Sequence, residues 1–158
     1  MDLARNLKHE TVSRLNPTAP WHVRPTQPVA DAVQLMRDKR VGCVLVCEAR
    51  QIIGIFTERD LLRRVLALGL PLSTPVAECM TGDPVTVNLR DPISVALKWM
   101  QQGGYRHLPV VVDGKPVGIL SIKRVVHYLV EHFPATALWL LRECYWRTWA
   151  SCNIGIGQ

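Results

Sequence analysis

The chain has no CxxC pair and no Cys/His cluster at zinc spacing, and its five cysteines (Cys43, Cys47, Cys79, Cys144 and Cys152) are an odd number. Neither a disulfide framework nor a structural metal is indicated, and a reducing compartment is the default. No apolar run approaches the roughly 20 residues of a membrane span, and the first ten residues are charged throughout, without an apolar signal core. A cytoplasmic protein with no transmembrane segment is expected. Charge blocks are missing too. Residues 1–79 hold eleven basic and eight acidic side chains and residues 80–158 hold eight and five, so the net charge of +6 divides evenly. A basic excess asks for an anionic partner, but charge spread this evenly, with no aromatics interleaved among the basic residues of an expected strand, argues against nucleic acid.

Chemical constellations are also absent. No Ser/His/Asp or Cys/His arrangement is supported by position, so no catalytic residue and no required cofactor are assigned, and a non-enzyme is expected. His127 and Glu131 lie one helical turn apart with His132 beside them, but no third convergent ligand is evident, and a solvated face is the better reading than a metal site. Cys43 and Cys47, four apart on an expected strand, point the same way into a core as small hydrophobes.

What is present is size and apolar content for one compact unit or two small ones. With 158 residues and 17.8 kDa, the chain is too short for a fold of about 250 residues such as a (β/α)₈ barrel. Hydrophobic residues at 48% against 20% charged suffice for a real core.

The sequence also repeats itself. Slid by 64 positions without a gap, Pro20 falls on Pro84, Val23 on Val87, Pro28 on Pro92, Ala32 on Ala96, Met36 on Met100, Val46 on Val110, Gly54 on Gly118 and Ile55 on Ile119. Each copy opens on a short extended piece (21–24; 85–88) and a proline suited to the first turn of a helix. The helix carries apolar residues at i, i+3, i+4 and i+7 (Val29, Ala32, Val33, Met36; Ile93, Ala96, Leu97, Met100) and stops at 39–40 or 103–104. Two apolar runs follow, joined by a short turn: 41–47 to 51–56, and 107–112 to 115–120. They read as buried hairpins. A final amphipathic helix closes each copy, over 58–68 before Gly69 and over 122–133 before Pro134. A unit of about 60 residues is marginal alone, burying only about 60% of its unfolded surface, so the two copies are expected to pack strand face to strand face. The fold class is α/β (α+β): two β-α-β-β-α repeats as an intrachain pseudo-dimer, with a lead-in helix over 1–11, repeats over 12–70 and 71–134, and an extension over 135–158.

Both hairpins end on related chemistry, Gly54-Ile55-Phe56-Thr57-Glu58-Arg59-Asp60 and Gly118-Ile119-Leu120-Ser121-Ile122-Lys123-Arg124. Thr57-x-x-Asp60 reads as a helix capping box. Capping does not explain the second copy, because Arg124 accepts no hydrogen bond and a cation in a first turn opposes the macrodipole. A helix N-terminus with free N–H groups also attracts anions, and a hydroxyl for phosphate plus a carboxylate for ribose suits a nucleotide.

The β-α-β-β-α repeat, the G-h-x-[ST]-x-x-D hairpin ending and Arg106-His107-Leu108-Pro109-Val110-Val111 together resemble a tandem pair of CBS domains, the Bateman module, over about residues 12–133. The resemblance implies a regulatory module that binds an adenosyl ligand (AMP, ADP, ATP or S-adenosylmethionine) between its repeats. It implies that Asp60 holds the ribose and Thr57 the phosphate, that Ile55 and Val41 flank the adenine, that backbone near Thr26 reads its edge, and that Arg106 and His107 face the phosphates. The related site lacks the ribose acid, and Gly42 and Cys43 replace Arg106 and His107. It is expected to be empty, or to hold a small anion against Ser121 and Arg124. The bland alternative for Arg124 is a surface ion pair, with Asp60 across the pseudo-dyad. A disc-shaped homodimer is expected by resemblance.

Other readings are a nucleic-acid-binding member of the family, or a dimerising adaptor whose ligand sites have decayed. The extension carries three of the five tryptophans, and Leu138, Leu141, Tyr145 and Trp149 form a helical stripe. It reads as an added helix covering the module or sealing a homodimer, with a partner-docking helix or an interfacial membrane anchor as sharper alternatives.

Overall fold

The computed structural model describes residues 3–135, so the tryptophan-rich stripe of the extension lies outside the described residues. Helix α1 (Leu3–His9), inside the lead-in, and a 3₁₀ turn (Val12–Leu15) that follows it precede the first hairpin unit. The first unit comprises β1 (His22–Val23), α2 (Val29–Lys39), β2 (Cys43–Glu48), β3 (Gln51–Thr57) and α3 (Glu58–Asp60), which continues as a π-helical stretch over Leu61–Leu66. A second 3₁₀ turn (Val76–Glu78) and β4 (Thr81–Gly82) lead to β5 (Val87–Asn88), α4 (Ile93–Gly103), β6 (His107–Val112), β7 (Lys115–Ser121) and α5 (Ile122–His132).

Two sheets result, ordered β1-β2-β3-β4 and β5-β6-β7. In each, a short parallel strand pairs with the first strand of an antiparallel hairpin, and both hairpins carry a register shift at the same place, Val46/Cys47 and Val110/Val111. Both hairpin turns take positive φ at two successive residues, Ala49–Arg50 and Asp113–Gly114, as tight two-residue turns require. Pro28 and Pro92 stand one residue earlier than expected, at the N-caps of α2 and α4 with extended ψ (152° and 144°).

The strands read as unbroken apolar runs because both faces are covered. From β2 and β3, Val44, Val46 and Phe56 turn toward α2 and Val65. The alternate residues Cys43, Leu45, Cys47 and Ile55 meet Ile119 of the other hairpin in a small core between the sheets. The expected strand-face pseudo-dimer is therefore present, and Cys43 and Cys47 are buried in its seam.

The repeats also exchange their leading segments. Val12 and Leu15 belong to the core of the second unit, while Val76 and Cys79 belong to that of the first. The anchoring hydrogen bonds recur at the 64-residue offset. Val12 N–H donates to Asp91 O (2.9 Å) as Val76 N–H does to Gln27 O (2.8 Å), and Ile93 N–H donates to Glu10 O as Val29 N–H does to Thr74 O, both at 2.9 Å. Each crossing segment passes close over a hairpin glycine. A Cβ on Gly54 would come within 2.3 Å of Met80 Sδ, and one on Gly118 within 2.7 Å of Pro17 Cβ.

The first closing helix departs from the expected α-helix over 58–68. At the 64-residue offset Tyr128, buried, corresponds to Arg64, exposed, and the buried residue of the first unit is Val65. A regular α-helix would direct Arg64 at the core. The wider π turn brings Val65 inward instead and leaves the guanidinium outside.

Candidate functional site

Two clefts lie between the repeats, related by the pseudo-dyad, and they share the wall formed by Gly42, Glu58, Arg106 and His107. The first, of about 360 Å³, gathers Ile55, Thr57 and Asp60 from the first repeat with Arg106 and His107 from the second. Five of the seven residues expected at the principal site thus meet in one cavity.

Thr57 and Asp60 form the capping box that their spacing predicts. Thr57 Oγ1 donates to Asp60 Oδ2 at 2.7 Å and accepts from Asp60 N–H at 3.2 Å, while Thr57 N–H donates to the same Oδ2 at 2.9 Å. The other carboxylate oxygen, Oδ1, accepts from Thr81 Oγ1 at 3.2 Å and lies 3.4 Å from Arg64 Nε. Asp60 is accordingly one of the two buried polar residues among those described. Arg64 also donates to Met80 O, which ties the π-helical turn to the crossing segment.

Two expected residues are elsewhere. Val41 lines the second cleft, and the residue at its pseudo-equivalent position in the first is Tyr105. The strand start that walls a cleft comes from the partner repeat, a rule that the expectation applied to Arg106 and His107 but not to the adenine flank. Thr26 lines neither cleft. The carbonyls on either side of it, Pro25 O and Gln27 O, already accept from Ala77 N–H (3.2 Å) and Val76 N–H (2.8 Å) of the exchanged segment, which leaves that backbone committed. In its place the crossing segment 81–85 lines the first cleft. The sequence signal for it is the same offset, since 17–21 lead the first copy as 81–85 lead the second.

The second cleft, about 670 Å³, is lined by Ser121 as expected, together with Arg37, Arg40 and Lys123. Arg124 is not on its wall. Nor does Arg124 pair with Asp60, whose ion-pair partner among the described residues is Arg64. The arginines Arg37, Arg40, Arg59, Arg63 and Arg64, absent from the expected sets, line one cleft or the other. Nothing in their spacing marks them. They converge because α2 ends, and α3 begins, at the sheet edge where the clefts open.

Burial is the main cause of the electrostatic shifts here. It lowers His107 below the ordinary 6.5, with Arg106 adding to the effect and Glu58 opposing it, so the ring is neutral at pH 7. Burial, reinforced by Glu58, pushes the Cys43 thiol up to about 12, which keeps it protonated and unreactive. His132 stacks on Tyr128 at 4.3 Å, with Nδ1 3.1 Å from that residue's carbonyl. Among the described residues no group of three or more His, Cys, Asp or Glu could hold a metal, and no helix is long and apolar enough to cross a membrane.

Comparison with known proteins gives a consistent result. Residues 12–67 and 76–131 each match the CBS domain family. A CBS domain-containing protein of Arabidopsis thaliana, CBSCBSPB3, is 36% identical over 111 residues, 69% of this chain. The chain spans only 20% of that relative's length. A 17.7 kDa protein of Acidianus ambivalens is 31% identical over 122 residues, covering 76% of this chain and 73% of its own. Among solved structures, a CBS domain protein from Pyrobaculum aerophilum complexed with AMP aligns with a TM-score of 0.70 at 27% identity, over 85% of this chain and 99% of that one. The chain belongs to the CBS domain family and carries two CBS domains in tandem.

Proposed function

We propose that this CBS pair is a non-catalytic sensor that binds an adenine nucleotide or related adenosyl ligand in the first cleft and transmits its occupancy as a change in repeat geometry. The observation that carries the reading is the convergence of Asp60 and Thr57 with Arg106 and His107 across the repeat boundary. The AMP complex of the similar Pyrobaculum aerophilum protein supports the ligand class.

In this reading the ribose hydroxyls donate to Asp60 Oδ1 in place of Thr81 Oγ1, since Oδ2 is held by the cap. The Thr57 hydroxyl rotates its proton from Asp60 to the phosphate, exchanging one charge-assisted hydrogen bond for another. Arg106 and Arg63, which both line the cleft, neutralise the phosphate. Ile55 and the Tyr105 ring flank the base. That ring packs against Gly103, where a Cβ would come within 2.0 Å of it. Such a ligand touches both repeats and the crossing segment at once, so its affinity depends on how the repeats sit, and binding shifts that equilibrium.

A homodimer belongs to the same proposal. Leu62 and Leu66 stand exposed on the first closing helix at the positions of Val126 and Val130 on the second, and these matched apolar pairs suit a symmetric partner.

A thermal-shift panel of AMP, ADP, ATP and S-adenosylmethionine tests the reading. A ligand at about 100 times its dissociation constant stabilises by about 2.7 kcal/mol, or about 5–10 °C for a chain of this size. Absence of any shift would favour an adaptor with decayed sites, and a shift that survives Asp60→Ala would overturn the assignment of the ligand to Asp60.

A further inference from the structure

We propose that the second cleft is an anion site for a compact polyphosphate of two or three linked phosphates, and that it requires no nucleoside. Four cations, Arg37, Arg40, Arg106 and Lys123, line it against the single carboxylate of Glu58. None of the four side chains is ion-paired or hydrogen-bonded among the described residues, where the ion pairs are Arg14–Glu10 and Arg64–Asp60. Unpaired like charges around one cavity repel each other and draw in a counter-ion. A lone phosphate brings about −2 and leaves the wall positive, whereas linked phosphates match it.

The remaining chemistry separates this cleft from its twin. Ser121 begins α5 but makes no side-chain cap, whereas Thr57 is locked in the capping box. Ile122 N–H is taken by Arg106 O at 2.9 Å, and the Ser121 hydroxyl with the next first-turn amides of this 11-residue helix is left for an anion. Arg124 stands where Asp60 stands in the first copy, so the position that takes the ribose in the first cleft carries no carboxylate in the second. Arg40 holds φ 53° at the helix stop where the other copy has Gly104, which puts a cation on the wall at a position suited to glycine.

The test is isothermal titration calorimetry of the full chain with sodium tripolyphosphate at low ionic strength. One tripolyphosphate per chain is expected. Arg37→Ala and Lys123→Ala should each weaken it about tenfold, the loss of one charge-assisted contact, while Arg63→Ala, which lines only the first cleft, should leave it within about twofold. Arg40→Gly should raise the melting temperature and yet weaken tripolyphosphate, an outcome that no folding defect can imitate. In an Asp60→Asn background, tripolyphosphate affinity should persist, so failure at the first cleft and failure here are read separately. In that background, ATP binding more tightly than tripolyphosphate with the same Arg37 dependence assigns the anion to a nucleotide tail, and weaker ATP binding assigns it to free polyphosphate. No tripolyphosphate binding, binding indifferent to both Arg37→Ala and Lys123→Ala, or tighter binding of a duplex oligonucleotide to the same residues would overturn the proposal.

Discussion

Asp60 is 7% exposed and its Oδ2 closes the N-terminus of α3 through Thr57, so the carboxylate proposed to meet a ribose also caps a helix. Removing it with Asp60→Ala should lower unfolding stability by about 1 kcal/mol, the usual worth of a cap. Asp60→Asn keeps an acceptor for the Thr57 N–H and should recover most of that loss in urea melts, while still losing the charged acceptor proposed for the ribose hydroxyls. His107 gives a pH signature. Its folded pKa lies below the ordinary 6.5, so the unfolded chain takes the proton more readily. The groups acting on it are Arg106, Lys123 and Arg59, which lower it further, and Glu58, which raises it. Stability from this group is intact above about pH 6.5 and is lost as pH falls through the lowered value. The urea midpoint should therefore fall between about pH 7.5 and pH 5.5, and fall less in His107→Gln. An equal fall in both proteins would remove His107 as the cause.

At the scale of elements, the crossing segments and the hairpin glycines constrain each other. Gly118 faces the rigid ring of Pro17 and the Thr18 carbonyl, while Gly54 faces the side chain of Met80, which can move. Gly118→Ala should thus cost about 1–3 kcal/mol, as overpacking does, and more than Gly54→Ala; the reverse order in thermal melts would contradict the exchanged packing. The elements themselves were legible in the sequence because two signals agreed, apolar periodicity within each copy and the 64-residue offset between copies. The π-helical turn was not. Arg64 and Val65 are neighbours, and only competition for one core position shows which of them turns inward. The exchange of leading segments was equally hidden, since periodicity reports which face is buried but not against which repeat. Thr26 lines neither cleft for that reason: its flanking carbonyls serve a segment some 50 residues further along the chain.

At the scale of the molecule, two CBS domains related by a pseudo-dyad have diverged in their clefts. Asp60 and Thr57 were legible from the motif, and Arg106 and His107 from the family resemblance, and the four share one cavity, but the arginines of both walls became visible only when helix ends converged at the sheet edge. The wall of Arg106, His107, Glu58 and Gly42 belongs to both clefts, so a ligand in one meets side chains that also face the other. The central claim is that only one of the two clefts accepts an adenosyl ligand. Calorimetric titration of the full chain with AMP tests it most directly: one AMP per chain is predicted, weakened at least about tenfold by Asp60→Asn and unchanged by Arg37→Ala, whereas two equivalent AMP sites per chain, or a single site indifferent to Asp60→Asn, would contradict it.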